Sequence, residues 1–127
     1  ILGNPKDKTI GVLGLAFKPN TNDIRESPSI AIVNDLLELG INIKANDPVA
    51  MDEAASLLPK VKFCNDAYET ATDADLLVFL TEWNQYRKLD LEKIKSLMKH
   101  AAIADLRNIY DPNYIRKLGF DYVGVGR

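Results

Sequence analysis

Thr9-Ile10-Gly11-Val12-Leu13-Gly14-Leu15 and the residues that follow decide the fold. The run is short, mostly apolar and punctuated by glycine, the pattern of a strand buried on both faces. Ser27-Pro28 then opens a helix, with serine as N-cap and proline at the first helical position. Ile30, Val33, Leu36 and Leu37 give that helix one apolar face, and Gly40 stops it. A second strand, Asn42 to Asn46, is closed by Asp47-Pro48. Strand, helix and strand in succession imply a right-handed crossover between parallel neighbours.

The alternation continues outward. A helical stretch from Met51 to Leu57 leads to a weak strand at Val61 to Cys64, then a short helix from Asp66 to Ala71 with Asn65 as its cap. Asp75 to Leu80 is the strongest strand. Leu89 to Met98 is an amphipathic helix with Leu89, Ile94, Leu97 and Met98 inward. Ala101 to Asp105, a helix from Pro112 to Leu118 and a terminal strand from Tyr122 to Val125 complete the order. No repeat, low-complexity tract or linker interrupts it. The fold class expected is α/β: a three-layer, doubly wound, Rossmann-like domain with a mainly parallel sheet of about six strands.

The 127 residues suit one domain, spanning 1–127, and 46% hydrophobic content supplies a core. Sixteen basic and eighteen acidic residues, net charge −2, argue against a nucleic-acid binder. No apolar run approaches the length of a membrane span. The one cysteine, Cys64, excludes an internal disulfide and a multi-cysteine zinc site, and a reducing cytoplasm is the natural setting. The chain starts at Ile1, and ILGNPKDKTI has neither a basic start nor an apolar h-region. A signal peptide is therefore not expected, and a chain trimmed or cut from a longer protein is.

Ligands of such sheets gather beyond the carboxyl ends of the strands. The loop after the first strand, Ala16 to Ser27, takes about a dozen residues where such connections usually take roughly two to six. It carries Lys18, Asp23, Arg25 and Glu26. Lys18, held extended by Pro19, can meet phosphate as a point charge, and Arg25 can offer a fork to phosphate or carboxylate. Both residues can equally be solvated, or Arg25 can pair with Asp23 or Glu26. Arg107, after the fifth strand, brings a third cation to the same edge, which shifts the weight toward an anionic ligand such as a nucleotide or sugar phosphate.

The remaining candidates are poorer. Gly11-x-x-Gly14 is not GxGxxG, so the dinucleotide fingerprint fails. Asp47 stands where a ribose-binding acid often stands, but reads better as an Asp-Pro turn residue. His100, at a helix end, caps carbonyls or faces water. Cys64 reads as a buried structural thiol. Trp83, Tyr86 and Arg87 could cover a ligand, with core packing of Trp83 and Tyr86 at least as good a reading.

Gly14-Leu15-Ala16-Phe17-Lys18-Pro19-Asn20-Thr21 and Asp23-Ile24-Arg25-Glu26-Ser27-Pro28 form a long, unusual motif. With Asp47-Pro48, Leu80-Thr81-Glu82-Trp83, Asp105-Leu106-Arg107-Asn108 and Gly124-Val125-Gly126-Arg127, it resembles the C-terminal domain of the UDP-glucose/GDP-mannose dehydrogenase family over nearly the whole chain. Leu-Thr-Glu-Trp and Gly-Val-Gly-Arg favour the UDP-glucose branch. The resemblance implies a UDP-binding domain of an enzyme that oxidises C6 of a UDP-hexose to a carboxylate, by two hydride transfers to NAD through cysteine-bound intermediates. It implies that Phe17, Lys18 and Arg107 contact the UDP-sugar and that Arg25 meets NAD across a domain interface. The partners implied are an N-terminal NAD-binding domain, a central dimerising segment and a homodimer or higher oligomer. Leu106 stands where many members have glycine. The catalytic cysteine motif is missing, so the chain alone is expected to be inactive. The same domain from a GDP-mannose or other UDP-hexose dehydrogenase is the near alternative, and a non-catalytic nucleotide-binding or interaction module the distant one.

Overall fold

In the computed structural model, which describes residues 8–14, 28–47, 58, 60–80, 86, 88–106 and 109–124, burial tracks position in the sheet. Strand β4 (Leu76–Phe79) is buried at every residue, and β1 (Thr9–Leu13) at all but its first. These are the two central strands, covered on both faces. Strand β6 (Asp121–Gly124) alternates exposed and buried, as an outer strand with one covered face should. Between these extremes lie β2 (Asn42–Asn46), the two-residue β3 (Lys62–Phe63) and β5 (Ala102–Asp105). The order is β3-β2-β1-β4-β5-β6, and all the pairings are parallel. The expected doubly wound Rossmann-like sheet is present, wholly parallel among the described strands.

Four helices are described: α1 (Pro28–Glu38), α2 (Ala67–Ala71), α3 (Leu91–Leu97) and α4 (Pro112–Lys117). Strand order steps one way from β1 to β3 and the other way from β4 to β6. Right-handed crossovers therefore put α1 on one face and α2, α3 and α4 on the other. The three shorter helices start alike: Asp66, Asp90 and Asp111 each accept a hydrogen bond from a first-turn backbone N–H, that of Glu69, Lys93 and Asn113 respectively. Asp66, not Asn65, is thus the cap of α2, because only Asp66 stands one residue before the helix. The same geometry starts α3 at Leu91, later than the expected Leu89. Leu91, Ile94 and Met98 are buried there, while Leu89 and Leu97 are only half-buried. The Met51–Leu57 helix, Ser27 and Val125 lie outside the described residues.

Gly11 explains how close the layers come. A Cβ at this position would stand 2.7 Å from the Thr70 carbonyl oxygen and 3.0 Å from Leu77 Cδ1. The crossover helix α2 therefore lies directly on β1, and the residue first read as part of a failed phosphate fingerprint is a packing glycine. At the amino edge, Asp75 is buried; its N–H donates to the Thr9 carbonyl and its carboxylate accepts from Thr9 N–H at 2.9 Å. One aspartate thus ends the central ladder on both its strands.

Candidate functional site at the carboxyl edge

The strand order reverses between β1 and β4, and the crevice beyond their carboxyl ends is where a ligand of this fold sits. Backbone hydrogen bonds carry the ladder one residue past the strands. Gly14 N–H donates to the Asn46 carbonyl, Leu80 N–H to that of Leu13 and Leu106 N–H to that of Phe79, at 2.8, 2.9 and 3.1 Å. Gly14 has φ 101°, a left-handed conformation natural to glycine, and here the chain leaves the sheet. The ends of β2, β1, β4 and β5 thereby form one level rim.

Beneath the rim lies a buried polar network. Asn46, Asp47 and Asp105 are three of the five buried polar residues among the described ones, and all three end strands at this edge. Tyr86, fully buried, donates its hydroxyl to the Asn46 carbonyl at 3.1 Å. The Asn46 side-chain amide donates to the Cys64 carbonyl at 3.1 Å, tying β2 to the end of β3. The Tyr110 hydroxyl donates to the Tyr86 carbonyl. Asp105 accepts from the Tyr110 N–H and from the Tyr122 hydroxyl, each at 3.0 Å. The Phe79 ring meets the edges of Tyr86 and Tyr110, with centroids 6.0 and 5.3 Å away. Buried polar groups are tolerated when bonded, and a bonded network is stiff.

Electrostatics keep the tyrosine at its centre neutral. Loss of hydration, then the nearby charge of Asp47, pushes the Tyr86 phenol well above its ordinary range. Burial likewise pushes the Cys64 thiol up, against weaker opposing help from Thr70. Cys64 is thus a buried neutral thiol, as expected, and not an activated nucleophile. His100 is half-exposed at the opposite edge, its Nε2 2.9 Å from Asp121 Oδ2, so it pairs with a carboxylate away from the rim.

Phe17, Lys18, Arg25 and Arg107 lie outside the described residues, as do Trp83 and Arg87. Tyr86 belongs to the core, in line with its packing reading. Asp47 is fully buried. The parts missed from sequence are Asn46, Asp105, Tyr110 and Tyr122 acting together. Polar residues at the very ends of apolar strands were the available signal. Among the described residues no group of three or more His, Cys, Asp or Glu could hold a metal, and no helix is long and apolar enough to cross a membrane. The rim offers no nucleophile or free general base; its chemistry is to present loops.

Residues 11–112 match the model of the UDP binding domain of the UDP-glucose/GDP-mannose dehydrogenase family. The chain is 45% identical over 125 residues to a UDP-glucose 6-dehydrogenase of Rhizobium meliloti, covering 98% of this chain and 29% of that one. It is similar to the structure of a UDP-glucose dehydrogenase from Pyrobaculum islandicum, with TM-score 0.79 and 32% identity over 98% of this chain and 26% of that one. An NDP-N-acetyl-D-galactosaminuronic acid dehydrogenase from Methanosarcina mazei superposes with TM-score 0.85 at 27% identity, again over 98% and 26%. The chain therefore spans well under a third of the length of each relative.

Proposed function

The chain belongs to the UDP-glucose/GDP-mannose dehydrogenase family, and from that premise we propose that it is the UDP-sugar-holding domain of an NAD-dependent UDP-glucose 6-dehydrogenase. The single observation that carries this reading is the level rim at the β1–β4 switch, from which the cation-bearing loops leave. Lys18 follows Gly14 by four residues and Arg107 follows Asp105 by two. At about 3.5 Å per residue these positions stand within roughly 14 and 7 Å of their strand ends. The two strands, separated by β4, are about 10 Å apart. Both cations can therefore converge on one diphosphate. In this reading Phe17, Lys18 and Arg107 hold the UDP-sugar.

NAD does not fit this rim in the manner of a dinucleotide fold. The strand-end GxGxxG is absent, Gly11 is sealed under Thr70, and Asp47 is fully buried rather than presented to a ribose. The cofactor belongs instead to an N-terminal domain of the whole enzyme, with Arg25 reaching it across the interface. The whole enzyme would oxidise C6 of UDP-glucose to UDP-glucuronate, using a cysteine outside this chain. The chain alone, with only the buried Cys64, would not turn over substrate, and its partners are the preceding domains within a homo-oligomer. The Methanosarcina superposition favours a second reading, the same domain in a dehydrogenase for another nucleotide hexose.

The test is calorimetric titration of the chain with UDP, GDP and NAD at low salt. UDP is expected to bind in preference to the others. A charge-assisted bond is worth about 1.5–3 kcal/mol, so Lys18→Ala or Arg107→Ala should weaken UDP by about one to two decades. Arg25→Ala should spare UDP and impair NAD use by the full-length enzyme. Equal loss of UDP affinity in all three variants would refute this division of roles.

A further inference from the structure

Asp105 is a fully buried carboxylate at the end of β5, and such a group is costly to keep unless it is bonded to something that matters. Its Oδ2 receives the N–H of Tyr110, five residues later, and the hydroxyl of Tyr122 on the neighbouring strand β6. The segment between, residues 106–109, contains Arg107. Its entry is fixed by Leu106 N–H on the Phe79 carbonyl, and Ile109 near its exit is buried. Tyr110, at the exit, is further held by its hydroxyl on the Tyr86 carbonyl and by its ring against Phe79. An apolar residue at position 105 could fill the same space but could not accept the Tyr110 N–H. The carboxylate is therefore specific to the loop.

We propose that Asp105 is a positioning residue for substrate: with Tyr122 as its support, it closes the Arg107 segment on itself and pre-sets the arginine for the diphosphate. Ordering a short loop before binding removes that cost from the binding step. The inference rests on the reading that Arg107 meets the UDP-sugar, and its test separates the two.

The experiment uses the full-length enzyme with Asp105→Asn, Tyr122→Phe, Arg107→Ala and the double variant Tyr122→Phe/Arg107→Ala. UDP affinity is measured by calorimetry, and KM and kcat with UDP-glucose. Tyr122→Phe keeps the ring and removes only the support, so it remains informative if Asp105→Asn fails to fold. Its loss is expected in Kd and KM, by roughly threefold to tenfold, more than in kcat. In the double variant UDP should bind no more weakly than with Arg107→Ala alone, because both changes disable one arginine. Losses that multiply in the double variant would overturn the proposal. So would a lower melting temperature with unchanged UDP affinity. If Arg107→Ala itself leaves UDP binding intact, the assignment of Arg107 falls first and the positioning role with it.

Discussion

The Tyr86 hydroxyl is buried against the Asn46 carbonyl and lies near the charge of Asp47. Its ionisation is opposed by lost hydration and by a neighbouring anion, so its folded-state pKa is raised. The unfolded phenol ionises near pH 10, roughly. Below that pH both states hold the proton and the contribution to stability is intact. As pH climbs further, only the unfolded chain releases the proton, and stability falls by up to about 1.4 kcal/mol per pH unit. Tyr86→Phe should cost about 1 kcal/mol at neutral pH and make the alkaline fall shallower. Denaturant melts between pH 7 and about pH 11.5 test this; an unchanged alkaline slope would mean that Tyr86 ionises as freely as an exposed tyrosine.

Between elements, the closest approach is α2 on β1 at Gly11. A methyl group there meets a backbone carbonyl oxygen at 2.7 Å, and backbone cannot move aside as a flexible side chain can. Gly11→Ala should therefore destabilise by about 1–3 kcal/mol, the usual cost of overpacking, although alanine suits a strand better than glycine does. Thermal or urea unfolding measures it. A neutral or stabilising result would mean that the layers are less closely packed. The three Asp-capped helices show the opposite kind of control, in which one side chain sets where an element begins.

Across the whole molecule the two sheet edges differ in kind. The amino edge is closed by Asp75 on Thr9 and carries the exposed His100–Asp121 pair. The carboxyl edge carries the buried network and launches the loops after β1, β4 and β5. A ligand that binds only the native state suppresses local opening around its site. UDP should therefore slow hydrogen exchange at Gly14, Leu80, Leu106 and Tyr110, and leave Asp75 and Asp121 nearly unchanged. Protection centred on the amino edge would place the ligand on the wrong side of the sheet.

The order of elements was legible in the chain because apolar period, proline and glycine are local signals. The run Leu76–Phe79 reads as a doubly covered strand, and Asn42–Asn46 as a strand between a glycine stop and an Asp-Pro turn, without knowledge of any neighbour. The resemblance to the family was equally legible, since it rests on residue identities. Three things were not. Asn65 and Asp66 are equally good caps by composition, and only the helix start chooses between them. Gly11 looked like a fragment of a phosphate motif until Thr70 was brought against it from 59 positions away. Asp105, Tyr110, Tyr86 and Asn46 lie up to 64 residues apart and form one network only once the parallel ladder aligns their strands. Local chemistry determined which strands and helices form. Tertiary structure decided which polar side chains are buried together, because burial belongs to the folded chain and not to any segment of it.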